Sequence, residues 1–192
     1  MAEPLRLVPS DTELAVNEHT LTARLASGEQ TALDAILRWQ WTSVTLFAER
    51  ALGDADAGSD IAQETFIRLW QHRSDIQPGL LRAFIFRTAR NLVLDELRKR
   101  SVRRRWGALF VATLSNPTPA AVLDASETER AVARAISTLP ARRREAFTLA
   151  YLHDLSYKEV AVVLGISAAT VKNQVAAALA QLRIALAAHQ HD

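Results

Sequence analysis

The stretch Leu155-Ser156-Tyr157-Lys158-Glu159-Val160-Ala161-Val162-Val163-Leu164-Gly165-Ile166-Ser167-Ala168-Ala169-Thr170-Val171-Lys172-Asn173 reads as two short helices joined by a three-residue turn, Gly165-Ile166-Ser167. That is the geometry of a helix-turn-helix, whose second helix can lie in a DNA major groove. Ser156 is placed to cap the first helix, and Glu159 completes a capping box with it. Leu155 and Val160 flank the cap at the spacing of a hydrophobic staple, and Ile166, Ser167 and Val171 repeat the device at the second helix. Gly165 suits the left-handed residue that ends a helix. Val160, Leu164, Val171, Val175, Leu179 and Leu182 recur at helical spacing and define a shared apolar seam. A plain helical hairpin would also have such a seam. The two capped starts and the glycine-bearing turn favour the DNA-reading form.

The surrounding chain is built for helix. It has 192 residues, 49% hydrophobic and 23% charged, with only 6 Gly and 6 Pro. Ala, Leu and Arg are abundant, and all three favour helix. The absence of cysteine removes disulfides and thiolate metal sites and suits a reducing compartment. The N-terminus lacks the basic start and apolar run of a signal peptide, and no apolar run is long enough to span a membrane. A cytoplasmic protein with no membrane insertion is the expectation.

Charge is unevenly distributed although the net value is only +2. Residues 1–75 carry 6 basic and 12 acidic side chains, residues 76–105 carry 9 and 2, and residues 106–192 carry 8 and 7. A basic block beside an acidic one points to one face for nucleic acid and another for a protein partner.

Upstream of the opening stretch, residues 1–17 read as a flexible tail. His19 to about Leu52 is helical, broken at Ser27-Gly28, with Leu33, Ile36, Leu37, Val44, Phe47 and Leu52 as a buried stripe. Trp39 and Trp41 read as packing residues. Gly53–Ser59 reads as a loop, with Ser59 or Asp60 capping the next helix. Ile61–Gln71 is amphipathic, with Ile61, Thr65, Phe66, Leu69 and Trp70 on its apolar side. Leu80 to about Arg105 reads as one long helix. Phe84, Ile85, Thr88, Ala89, Leu92, Val93 and Leu97 face its core, and Arg87, Arg90, Asn91, Asp95 and Arg98 lie on the other side. Its last eight residues, Arg98-Lys99-Arg100-Ser101-Val102-Arg103-Arg104-Arg105, hold six cations, more than a helix dipole calls for, which favours phosphate contact. Residues 106–126 read as a linker because Ser115-Asn116-Pro117-Thr118-Pro119 cannot be helix interior. Its apolar group Trp106, Leu109, Phe110 and Leu114 reads as a docking segment that changes partners. The fold class is therefore all-α. Two small helical domains, 18–105 and 127–192, are joined by a flexible linker, and the second is a helix-turn-helix domain.

These residues resemble bacterial RNA polymerase sigma factors of the small extracytoplasmic-function group. Asp60-Ile61-Ala62-Gln63-Glu64-Thr65-Phe66-Ile67-Arg68-Leu69-Trp70 resembles the family's polymerase-binding helix, and Leu81–Asp95 its promoter-melting helix, with Phe84 where the family usually has Trp. Leu139–Phe147 and the helix-turn-helix resemble its fourth region. The resemblance implies that residues 18–105 are region two. There Asp60, Ile61, Gln63, Glu64, Ile67 and Arg68 would bind core RNA polymerase. Ser74, Asp75, Gln77, Arg87, Arg90, Asn91 and Arg98 would contact the −10 element of promoter DNA. Residues 127–192 would be region four, with Arg143, Ser167, Thr170, Lys172, Asn173 and Gln174 on the −35 element. Asn and Gln can each read adenine bidentately, and Lys can serve guanine or phosphate. The resemblance also implies an anti-sigma factor as partner, and neither a cofactor nor a small-molecule substrate.

Two other readings compete. A stand-alone helix-turn-helix regulator with a helical sensor or dimerisation domain would explain 155–173 but leaves Asp60–Trp70 and Leu81–Asp95 unexplained. An enzyme is disfavoured. His19, His72, His153, His189 and His191 are scattered without metal-ligand spacing, and there is neither a nucleophile–base pair nor a phosphate-cradling Gly loop. His153-Asp154 reads as a turn.

Overall fold

The computed structural model describes residues 11–107 and 127–189, with side chains placed for 18–101 and 131–187. Among the described residues there are eight α-helices and no strands: α1 Asp11–Ala26, α2 Gln30–Leu52, α3 Ala55–Gln71, α4 Leu81–Gly107, α5 Glu127–Ser137, α6 Ala141–Phe147, α7 Tyr157–Leu164 and α8 Ala168–His189. A 3-10 turn, Arg73–Asp75, precedes α4, and a π turn, Thr148–Leu152, extends α6.

Helices α1 to α4 form the first domain around Leu25, Ile36, Val44, Leu69, Leu81, Ile85 and Phe86, all buried. Phe47 meets Phe86 edge-on at 5.7 Å between ring centroids, a favoured aromatic geometry. Trp39 and Trp41 pack as expected: Trp41 stacks on Phe66 at 5.7 Å, and the Arg82 guanidinium sits 5.7 Å over the Trp39 ring. Two local expectations need correction. α1 starts at Asp11, so residues 11–17 are helical and not part of a loose tail. Leu21 and Leu25 anchor the following turns, and helix propagates readily from an anchored turn. Further on, neither Ser59 nor Asp60 caps α3. The cap is Asp54, whose Oδ1 accepts the Ala57 amide at 3.0 Å. The extra turn brings Gly58 against α2, where an added Cβ would lie 2.9 Å from the Glu49 amide nitrogen.

Arg100 closes the same corner. It donates to the Leu52 carbonyl at 3.1 Å, to Asp54 at 3.0 Å and to Glu96 at 3.0 Å. Glu18 of α1 serves the other end of α4. Its Oε1 accepts the Leu81 amide at 2.8 Å and the Arg82 amide at 3.3 Å, so a residue over sixty positions away satisfies the first turn of α4. Burial pushes the Glu18 carboxyl above the usual carboxylate range, partly opposed by those two bonds.

Helices α5 to α8 form the second domain. α5, α6 and α8 share a small core of Ala135, Leu139, Phe147, Ala178 and Leu182. The core of the first domain continues without a break into Ala146, Leu149, Leu155, Val160 and Val163 of the second, with α4 packed along α7. The two domains thus form one packed body. Trp106 and Gly107 belong to α4 and not to a linker. Leu109, Phe110, Leu114 and the Trp106 side chain lie outside the described residues, as do 1–10 and 190–192. No single described helix is long and apolar enough to cross a membrane.

Candidate nucleic-acid interface

The helix-turn-helix forms as its capping pattern dictates. Ser156 Oγ accepts the Glu159 amide at 3.3 Å and Glu159 Oε2 accepts the Ser156 amide at 2.7 Å, which completes the capping box. Gly165 ends α7 at φ 67°, and its Cβ position is open space, so backbone conformation alone selects glycine there. The axes of α7 and α8 are bent by 104°, within the range of a helix-turn-helix. Val160, Val171 and Val175 are fully buried in the seam and Leu182 nearly so, with Leu164 and Leu179 partly buried beside them. The second staple is incomplete, because Ile166 remains 38% exposed.

This leaves a small set of residues on the outer face of α8. Ser167 Oγ accepts the Thr170 amide at 3.1 Å and pairs with the Thr170 hydroxyl at 2.8 Å, so both side chains shape the helix start. Lys172 and Asn173 are exposed, while Gln174 is half-buried. From α6, Arg143 leans toward α8 with Nη1 3.5 Å from Gln181. Its neighbour Arg144 donates to the Ser137 carbonyl at 2.9 Å and so satisfies the end of α5.

The cations of α4 are disposed differently. Arg87, Arg90 and Asn91 share one face beside the second domain, with Arg87 and Asn91 still exposed. They line an open cleft of about 520 Å3 whose other wall is Ala161–Ile166, the end of α7 and the turn. Arg90 Nε lies 2.6 Å from Glu145 Oε1, bridging α4 to α6. Arg98 pairs with Asp95 at 2.6 Å on the exposed surface. Within the basic run Arg100 is a structural clamp and not a phosphate contact, and the side chains of 102–105 lie outside the described residues. In the turn before α4, Ser74 donates to Asp75 at 3.3 Å, Asp75 stands 3.4 Å from His72 Nδ1, and Gln77 is exposed.

On α3 the sequence-expected contact residues form a solvent face. Asp60, Gln63, Ile67 and Arg68 are exposed, and Arg68 pairs with Glu64 at 2.7 Å one turn back. Ile67 is 44% exposed, unusual for isoleucine on an otherwise polar face. Ile61 departs from the set, since it packs against the core.

Sequence patterns match this layout domain by domain. The family model described as Sigma-70 region 2 matches residues 43–103, and Sigma-70, region 4 matches residues 129–182. The chain belongs to the sigma-70 family. It is 31% identical to the ECF RNA polymerase sigma factor SigE of Mycolicibacterium smegmatis over 100% of this chain and 77% of that protein. It is also 31% identical to the ECF RNA polymerase sigma factor SigL of Mycobacterium tuberculosis, over 73% of this chain and 80% of that one. Among solved structures, CnrH in complex with the cytosolic domain of CnrY aligns with a TM-score of 0.65 at 27% identity, over 90% of this chain and 98% of CnrH. The sigma factor RpoE of Bartonella quintana, in complex with the anti-sigma factor NepR, shares the fold with a TM-score of 0.64 at 24% identity, over 80% and 95% of the two chains. The protein is an ECF sigma factor, which directs promoter-specific transcription by RNA polymerase. A stand-alone regulator is not favoured, because the match extends through the first domain as well as the helix-turn-helix.

Two residues of this sigma factor escaped the sequence reading. Glu18 gave no local signal, since its partners are far along the chain. His153 was read as part of a turn. It inserts among side chains of the first domain: its ring packs 5.0 Å from Phe86 and 5.6 Å from Phe47, and its Nδ1 lies 2.9 Å from Ser43 Oγ.

Proposed function

We propose that this sigma factor works in the cytoplasm through three separate faces. The α3 face of Asp60, Gln63, Glu64, Ile67 and Arg68 docks on core RNA polymerase, with Ile67 as its apolar anchor. On α4, Arg87, Arg90, Asn91 and Arg98, with Ser74, Asp75 and Gln77 at the preceding turn, engage the −10 element and hold it open. Unstacked bases need a polar surface, and cations must track the backbone beside it. On α8, Lys172, Asn173 and Gln174 read the −35 element, while Ser167 and Thr170 present the helix N-terminus to phosphate and Arg143 supports it from α6. The protein supplies recognition and positioning, and its polymerase supplies the chemistry.

The observation that carries this reading is the layout of the polar faces. The α3 and α8 faces point to solvent, whereas on α4 Arg90 is held by Glu145 of the second domain and Arg87 and Asn91 line the cleft between the domains. The packed form is therefore a stored form. Its domains must part before α4 meets DNA. An anti-sigma factor that holds the packed form would act as an inhibitor; the Bartonella RpoE was solved with the anti-sigma factor NepR.

In vitro transcription with core polymerase and a randomised promoter library tests the proposal. The chain is expected to select two spaced sequence elements. Lys172→Ala with Asn173→Ala should erase selection at the upstream element and leave polymerase affinity unchanged. Loss of polymerase affinity in that pair, in a protein of unchanged helicity, would overturn the assignment of the faces.

A further inference from the structure

We propose that His153 is a pH-responsive latch: its neutral imidazole plugs a pocket of the first domain, and protonation releases the plug and opens the molecule. The inference rests on the reading above that the α4 face works only when the domains separate.

The geometry is that of a plug. His153 follows the π turn Thr148–Leu152, and Asp154 beside it takes φ 52°, a left-handed conformation rare for a residue with a side chain. This kink lets the chain place the ring inward and then enter α7. His153 is 4% exposed although the segment belongs to a connection between helices. Every polar and aromatic group recorded against it comes from the first domain: Ser43 and Phe47 of α2, and Phe86 of α4. Arg82 of α4 also donates to the His153 carbonyl, fixing the backbone of the plug.

The pocket accepts only a neutral ring. Nδ1 has one partner, the Ser43 hydroxyl, and the buried Nε2 has none among the described residues. A doubly protonated ring would therefore hold at least one N–H with no acceptor. The charged groups that act on it are Arg50 of α2 and Arg82 of α4, both cationic. The nearby carboxylates do not offset them. Asp154 is exposed, Glu18 of α1 is bound to the α4 amides, and Glu159 of α7 is bound to Ser156. Among the described residues none forms an ion pair with the ring. Burial first, then Arg50 and Arg82, push the imidazole down to about 4.

Opening returns the ring to water, where its ordinary value is about 6.5. The closed form therefore binds fewer protons than the open form between these values. The latch holds fully above about pH 6.5 and weakens as pH falls toward about 4. Between about pH 7.5 and about pH 5.5 the ratio of closed to open molecules should fall roughly tenfold. Acidification would thereby free the α4 cations without an external signal protein.

Energy transfer between labels on the two domains tests this directly. The chain has no cysteine, so Ser59→Cys in α3 and Ala180→Cys in α8, both exposed positions, accept dyes cleanly. Single-molecule transfer would be read in the full chain and again with Glu145→Gln, which removes the ion pair to Arg90 and raises the open population. The expected result is a low-transfer population that grows about tenfold relative to the closed one from about pH 7.5 to about pH 5.5. In His153→Gln, which stays neutral and can still bond Ser43, that growth should vanish, and in His153→Arg the open form should dominate at both values. Circular dichroism confirms that each variant is folded. A flat response in both backgrounds, or an equal response in His153→Gln, would overturn the latch. The readout needs neither polymerase nor DNA, so promoter-selective transcription alongside a flat transfer signal would refute the latch alone.

Discussion

Helix α4 and the first turns of α8 offer opposite versions of the proposed DNA-facing surface. α4 has most of the charge, but much of it is engaged within the protein: Arg90 with Glu145, Arg98 with Asp95, and Arg100 with Asp54, Glu96 and the Leu52 carbonyl. The start of α8 has one cation, Lys172, yet Lys172 and Asn173 stand in solvent, on a helix whose inner face is locked by Val171 and Val175. Counting charges ranks α4 far ahead. Which of them can reach a phosphate is decided by packing: Arg90 and Arg100 are engaged within the protein, whereas Lys172 stands in solvent. A weak upstream contact is then useful because polymerase tethers it to a second DNA contact on the same complex, where effective concentration multiplies modest affinities.

Substitutions can break or sharpen this contrast. The largest effect is expected from Phe86→Ala, which empties a fully buried site on the inner side of α4. A loss of about 3–5 kcal/mol is expected, seen as a drop in the denaturant midpoint together with loss of both DNA contacts. Next, Arg100→Ala should cost about 1.5–3 kcal/mol of stability and leave the salt dependence of promoter binding unaltered. Arg87→Ala should do the reverse, with stability within about 0.5 kcal/mol and the magnitude of the salt slope reduced by about one. Equal salt slopes for the two variants would erase the distinction between engaged and available cations. Asn173→Ala should weaken discrimination at the upstream element by about 1–2 kcal/mol, read as selectivity in competition binding, with no change in melting temperature.

The smallest effect is a control on an exposed ion pair away from either DNA face. Glu29 accepts from Arg24 and Thr31, and these bonds, Arg24 first, hold its carboxyl down at about 2. A depressed carboxylate stabilises the fold above its ordinary value of about 4.5, and that contribution is lost as pH falls toward about 2. Glu29→Gln should slightly flatten the acid side of the stability curve and leave transcription intact. The pair is exposed and screened, so the difference should shrink further in high salt.

Much of this molecule was legible in its residues because the signals were local. The Ser156–Glu159 box, the Gly165 stop and the valine seam each depend on neighbours within a few positions, and all formed as read. The apolar side of α3 followed in the same way from helical spacing. What could not be read depended on contacts across the chain. Asp54 outcompetes Ser59 and Asp60 as cap because α2 and α3 meet at Gly58, and no local pattern announces that meeting. Arg90 looks like any other cation of its helix until Glu145 arrives from the second domain. His153 gave the weakest signal of all. A histidine before an aspartate suggests a turn, and only its packing against Ser43 and Phe47 of α2 and Phe86 of α4 turns it into a buried plug.

Position-specific cross-linking in the assembled promoter complex addresses the central claim most directly. A photoreactive amino acid would replace Asn91 on α4 or Asn173 on α8, and cross-links to DNA would be mapped with core polymerase present. The account predicts that position 91 marks the downstream element and position 173 the upstream one, while in the free protein position 91 cross-links to the segment around Gly165. Both positions mapping to one element, or position 91 never reaching DNA in a transcribing complex, would contradict it.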